Sequence, residues 1–395
     1  MKIGIITFWE STDNYGQVLQ AYALQQVLKN MGHNPFQIRY SLRASQLEEK
    51  KTSVFKRLLK VLLVYPFVKS IKRRKVQCED AECKKILEKK NVARKFREFR
   101  NQYITQSEKV YNSINELRSD PPQADCYITG SDQVWTMLLS NEGNAAYYLD
   151  FGNKSIKRIA YAASFGRSEY PDFLLPRLKT LLARFDSISV REQEGVVICN
   201  SIGLNVEHVL DPTLLLSKNE YLDKLKCFVE NDVKEKTLFV YSINVRTSED
   251  IYWTELNKYA ADNKLKIIVT TSSGNIPGRE LYEGVEYSYA TIEEWLKLVN
   301  YAHLVVTTSF HGVVFCLLTQ TNFVFVPLHN SGSRGNGRLE SLLGTLGLTS
   351  KICYSSDSFE IVANTDIDWE KVSHSLEIQR LHSLFYLRSV IDESN

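Results

Sequence analysis

The sequence predicts an α/β chain of two parallel-sheet domains that face each other, and three observations carry that expectation. The chain opens with a strand, a helix and a strand, the signature of a parallel sheet. The same alternation runs again from residue 237 to 346. And 395 residues are too many for one hydrophobic core, so two domains of ordinary size are expected.

KIGIITFW (2–9) is apolar and β-branched on both parities, as in a strand buried on both faces. STDNYG follows as a loop with helix-capping residues. From Tyr15 to Met31 the apolar positions Val18, Tyr22, Leu24, Leu28 and Met31 recur at helical spacing, and Gly32 stops the helix. FQIRY (36–40) is the second strand. Residues 41–122 break the alternation and read as a charged, helical insertion ending at Pro121 and Pro122. Strands CYITG (126–130), RIAYAAS (158–164), SISV (187–190) and EHVL (207–210), with helices PDFLLPRLKTLLARF and EQEGVVICNSIG, complete an N-terminal domain over 1–210. DPTLLLSKNEYLDKL (211–225) is a crossing segment into a C-terminal domain over 211–375. There TLFVYSI, KIIVTT, HLVVTT and NFVFVP are strands, alternating with helices at 249–262, 291–302, 312–320 and 338–346. Residues 376–395 form a last helix able to pack back on the first domain.

Hydrophobic content of 44% and charged content of 24% are ordinary for a soluble globular protein. The opening MKIGIITFWESTD lacks the long apolar stretch and small-residue cleavage site of a signal peptide. No run approaches the roughly 18 apolar residues that span a bilayer. The seven cysteines form no CxxC, and Cys126, Cys199 and Cys316 lie in apolar segments, so a reduced, cytoplasmic protein without a metal centre is expected. The net charge of +3 hides an asymmetry: residues 50–75 carry ten Lys or Arg and no acid, which leaves −7 for the remainder. Such a basic amphipathic segment suits either a solvated helical face or an anionic membrane surface. Nucleic acid is not expected, because no recognised binding motif accompanies it.

In open parallel sheets ligands bind beyond the carboxyl ends of the strands, so those loops hold the candidate chemistry. His311, in SFHG, opens a helix whose N-terminus attracts anions; it is an anion-site residue or a capping or core histidine. Ser309 can cap that helix. Arg191 emerges from a buried strand, to meet an anion or to pair with Glu192 or another local carboxylate. Arg334 and Arg338 lie in a Gly- and Ser-rich loop before a helix, where two guanidiniums suit a phosphate or the loop is merely flexible. Asp132 can accept a sugar hydroxyl's proton while Trp135 stacks on the sugar face, or the indole is simply core. Asp13 and Asn14 cap the first helix or touch a ligand. No Walker or dinucleotide glycine pattern is present.

Taken in order, DNYGQVLQAYAL, ITGSDQVW, AYAASFG, SVRE, VLDPTLLL, TTSFHGVVFCLL and GRLESLLGTLGL resemble the polysaccharide pyruvyl transferase family over roughly residues 3–348. The 41–122 segment lies outside the match. The resemblance implies a glycosyltransferase-B-like fold, two Rossmann-like domains facing across a cleft. It implies phosphoenolpyruvate as donor substrate, no cofactor and no metal, and two hydroxyls of a sugar, presented on a lipid-linked oligosaccharide, as acceptor. The product is a cyclic pyruvate ketal on a surface polysaccharide. His311 and Arg191 match family residues that contact the donor, whereas Ser309 stands where the family has an arginine. Arg338, or else Arg334, is expected to supply that cation. His311 is the expected general acid/base, Asp132 orients or deprotonates the acceptor, and Trp135 and Asn14 line its site. Peripheral contact of residues 50–75 with the inner membrane face would bring the enzyme to such an acceptor. A nucleotide-sugar glycosyltransferase and a non-catalytic binding protein are the competing expectations on this fold.

Overall fold

The computed structural model describes residues 1–42, 88, 91–136, 142–225, 236–272, 281–329, 333 and 335–392. Seven parallel strands form the first sheet: β1 (Lys2–Ile6), β2 (Asn34–Tyr40), β3 (Gln106–Tyr111), β4 (Cys126–Thr129), β5 (Lys157–Ala163), β6 (Ser187–Val190) and β7 (Glu207–His208). Their order is β3-β2-β1-β4-β5-β6-β7, so the chain reverses its direction of travel between β1 and β4. The second sheet holds β8 (Thr237–Ser242), β9 (Lys266–Thr271), β10 (Glu286–Tyr287), β11 (Leu304–Thr307) and β12 (Phe323–Phe325), ordered β10-β9-β8-β11-β12. It reverses between β8 and β11. Crevices open at such switch points, beyond the carboxyl ends of the strands.

The central strands are apolar on both faces because helices cover both; β5 is buried at all seven positions. Helix α1 (Tyr15–Asn30) starts where Asn14 accepts a hydrogen bond from Gln17 N, and it buries twelve of its sixteen residues. The two halves meet in one apolar cluster in which Ile3, Leu24 and Cys126 join Trp295 and Phe315. Tyr15 stacks on Trp295 at 5.1 Å and donates to Ala290 O at 2.6 Å. Arg94, itself buried, donates to the Tyr15 hydroxyl and to Thr271 O, both at 2.6 Å. Charge, aromatic faces and backbone thus tie α1 to the second sheet.

The stretch 41–122 is not wholly a helical excursion. Its residues from 91 onward supply α2 (Phe96–Tyr103), β3 and α3 (Ile114–Ser119), and β3 extends the first sheet at its edge. QSEKVY was not legible as a strand because an edge strand half in water keeps polar side chains. The basic segment 50–75 lies outside the described residues. Further helices run through the two halves, beginning with α4 (Leu175–Leu182), α5 (Gln193–Ser201), α6 (Lys218–Leu225) and α7 (Trp253–Asp262). After these come α8 (Ile292–Tyr301), α9 (Phe310–Thr319), α10 (Gly337–Thr345), α11 (Phe359–Asn364) and α12 (Trp369–Asp392). The last helix buries Val372, Leu376, Leu387, Val390 and Ile391 in the cluster shared with β1, and Ser383 Oγ accepts Leu210 N at 3.0 Å. Among the described residues no helix is long and apolar enough to cross a membrane.

Candidate active site

A cavity of about 300 Å³ opens between the two sheets at their switch points. From the first sheet it is lined by Asn14 and Gln17 at the start of α1, Asp132, Gln133 and Thr136 after β4, and Arg167 after β5. From the second come Asn244 after β8, Thr308 to His311 after β11, and Asn336 and Arg338 at the start of α10. The helix starts of α1, α9 and α10 therefore all reach this space, each with unpaired N–H groups and a positive end.

His311 sits in the first turn of α9. Ser309 Oγ caps that helix by accepting Gly312 N at 3.3 Å, which fixes the backbone that carries the ring. The ring is wedged against α1, where a β-carbon on Gly16 would lie only 2.0 Å from Nδ1. On its other edge Nε2 is 3.7 Å from Asp211 Oδ2 and has no hydrogen-bond partner. A shift of about 0.5–1 Å brings that pair into ordinary hydrogen-bond range.

Asp211 is the hub behind the ring. Its carboxylate is buried and accepts Arg191 Nη1 at 2.6 Å, Ser131 Oγ at 2.5 Å, Thr213 Oγ1 at 2.6 Å and Thr213 N at 3.0 Å. Burial alone would raise its carboxyl, but His311, Arg191 and Ser131 more than offset this and hold it well below the usual carboxylate range. Arg191 is fully buried in turn. Burial works against its charge, yet Asp211, Asp132 and Glu192 outweigh that and raise it above the ordinary guanidinium value.

This corrects the expectation for Arg191. Its side chain does not line the cavity; it is committed to Asp211 and lies with its guanidinium 4.6 Å from the Phe310 ring centre. Glu192, the neighbouring acid, is more distant at 3.9 Å. Trp135 is corrected as well: it is fully buried, donates to Tyr147 O at 3.0 Å and stacks on Tyr148, so it is core and not a sugar platform. Asn14 and Ser309 do face the cavity, but both spend their side chains as helix caps. Arg334 lies outside the described residues.

Arg338 reaches the cavity from α10, half-buried, with Nε on Gly335 O at 3.2 Å. With its carboxamide turned to present oxygen, Gln133 accepts from both terminal nitrogens, at 3.0 and 2.5 Å. Burial first and repulsion by Arg191 second push the guanidinium down to about 10, so it is cationic at neutral pH. Among the described residues no carboxylate lies within ion-pair distance of it. The expected direct meeting of Arg338 and the imidazole is not found; they share the cavity and the Phe310 ring, 5.5 Å from the guanidinium.

Asp132 does line the cavity. It holds φ at +80°, a strained conformation outside glycine, and Oδ1 accepts Gln133 N at 2.8 Å. Its Oδ2 is buried with no hydrogen-bond partner. One carboxylate oxygen thus anchors the loop, while the other keeps its acceptor capacity unused just beneath the cavity wall.

Two residues of the site were missed from sequence, one behind the ring and one at the cavity wall. Asp211 lies within the quoted VLDPTLLL, but its role depends on an arginine twenty positions away. Arg167, directly after AYAASFG, is half-buried at the cavity and donates to Thr136 O at 2.6 Å. A glycine followed by an arginine at the carboxyl end of a buried strand was the available signal.

Two doubly wound parallel sheets with a polar cavity between their switch points define a Rossmann-like, glycosyltransferase-B-like protein. A solved structure shares this fold: a Listeria monocytogenes protein described as a UDP-N-acetylglucosamine 2-epimerase superposes with a TM-score of 0.50 at 8% identity, covering 100% of this chain and 97% of that one. Arabidopsis thaliana UGT89C1 complexed with UDP-L-rhamnose gives 0.49 at 10% identity, with 98% of each chain covered. No curated protein matches. Residues 14–330 match the family profile described as polysaccharide pyruvyl transferase, and the chain belongs to that family.

Proposed function

We propose that the protein transfers the pyruvyl unit of phosphoenolpyruvate to two hydroxyls of a sugar, forming a cyclic ketal during surface polysaccharide synthesis, with a lipid-linked oligosaccharide as acceptor. The observation that carries this reading is the pairing, in one cavity, of an arginine without an ion-pair partner among the described residues and an imidazole backed by a buried carboxylate. Phosphoenolpyruvate carries about three negative charges near neutral pH, so it seeks guanidiniums and helix N-termini. His311 is the general acid/base. It delivers a proton to the methylene carbon, leaving an oxocarbenium-like centre, and one sugar hydroxyl adds there. Phosphate then leaves with the bridging oxygen and the second hydroxyl closes the ketal. Of the two hydroxyl protons, one balances the new methyl group and the other leaves on phosphate.

Asp211 acts through the ring, not on substrate. Held ionised by Arg191, it favours the Nε2–H tautomer and stabilises the imidazolium as the ring takes up a proton. Asp132 Oδ2 receives an acceptor hydroxyl. No step in this scheme calls on a metal ion. The test is incubation with phosphoenolpyruvate and a panel of lipid-linked oligosaccharides, with inorganic phosphate and the product's mass as readouts. The reading expects both with wild type and neither with His311→Ala of unchanged fold. Phosphate release by His311→Ala at the wild-type rate would refute it.

A further inference from the structure

Arg191 is spent on Asp211, so a donor with two acidic groups needs a second cation beside Arg338. We propose that Arg167 reads the donor's carboxylate, while Arg338 and the N-termini of α9 and α10 take its phosphate; this rests on the donor reading above. One turn carries both guanidiniums. It is closed by Thr136 N donating to Gln133 O at 3.1 Å. Its first side chain, Gln133, accepts Arg338, and its last carbonyl, Thr136 O, accepts Arg167. Gly166 makes the approach possible. At φ +57° a β-carbon there would fall 2.5 Å from Thr136 Oγ1 and 3.0 Å from Gln133 Cδ, so a larger residue would push the Arg167 loop off the turn.

The division between the two groups follows from what surrounds each arginine. Arg338 comes from the second sheet's half together with the starts of α9 and α10, whose summed field suits a dianionic phosphate. Arg167 comes from the first half, as does Asp132, the one acid among the described lining residues. That carboxylate opposes a second dianion and tolerates a singly charged carboxylate, which a guanidinium meets with two parallel hydrogen bonds. The cavity therefore selects a small phosphate ester bearing a carboxylate over phosphate alone.

Calorimetric titration of phosphoenolpyruvate, phosphoglycolate and inorganic phosphate separates the roles. Arg167→Ala is expected to weaken both phosphocarboxylates about 10- to 100-fold, the loss of a charge-assisted pair, while leaving inorganic phosphate within about twofold. Arg338→Ala weakens all three. Arg167→Lys, which keeps charge without the fork, recovers part of the loss and guards against a folding defect, with melting temperatures measured alongside. Unchanged phosphoenolpyruvate binding by Arg167→Ala, or equal loss of phosphate and phosphoenolpyruvate, overturns the assignment. Wild-type protein that binds phosphate but neither phosphocarboxylate refutes the donor reading instead.

Discussion

Replacing Gly16 with alanine puts a methyl group where the imidazole of His311 now lies. The added carbon would sit 2.0 Å from Nδ1, 2.3 Å from Cγ and 2.8 Å from Cβ, against the 3.4 Å at which ordinary contact begins. The ring or α1 must therefore give way by more than an ångström, and the clash reaches back to the histidine's own β-carbon, so a simple rotation does not clear it. Two effects compete. Alanine in a helix is favoured over glycine by about 1 kcal/mol. Overpacking a filled site costs about 1–3 kcal/mol. The net is a loss of stability of up to about 2 kcal/mol. Turnover falls further, because a displacement of about 1 Å at a reacting group costs on the order of 100-fold. The control is Gly344→Ala near the exposed end of α10, where the added carbon would meet nothing within 4 Å and the propensity gain stands alone. The assay pairs urea unfolding with phosphate release. Full activity in Gly16→Ala at reduced stability would show that the ring's position does not govern the chemistry.

Asp211→Asn leaves the Arg191 charge buried with only Asp132 and Glu192 near it, so unfolding becomes easier by about 3 kcal/mol near neutral pH. The sign of its pH dependence is fixed by the low-held carboxyl: the stability it contributes is complete above its ordinary value of 3.8 and is lost as pH falls below that. Denaturation from neutral to acid pH should thus show wild type and variant converging at the acid end; a constant gap would contradict the ion-pair account. Trp135→Ala should cost about 3–5 kcal/mol of stability as a large core truncation, and Trp135→Phe should keep the acceptor KM. A raised acceptor KM in a well-folded Trp135→Phe would return the indole to the site.

The buried strands were readable because they sit where local pattern and tertiary burial agree. β1, β4, β5 and β11 are apolar on both faces, and the chemistry at their carboxyl ends follows from sheet topology. His311 and Asp132 could be placed for that reason. Period and spacing carry no information on which way a lone side chain turns, so Trp135 three residues after Asp132 was placed in the cavity although it points into the core. The partner of Arg191 was equally hidden. Sequence proximity favours Glu192, but the fold delivers Asp211 at 2.6 Å from a crossing segment. β3 and the two-residue β10 escaped because a polar or very short edge strand has no alternation to detect.

The account turns on proton delivery to the methylene carbon of phosphoenolpyruvate, and running the reaction in D₂O tests it most directly. The ketal product should carry one solvent deuteron in its methyl group, detected by NMR, with inorganic phosphate released in equal amount. A product whose methyl group lacks solvent deuterium, or turnover that requires a nucleotide sugar and releases no phosphate from phosphoenolpyruvate, would contradict it.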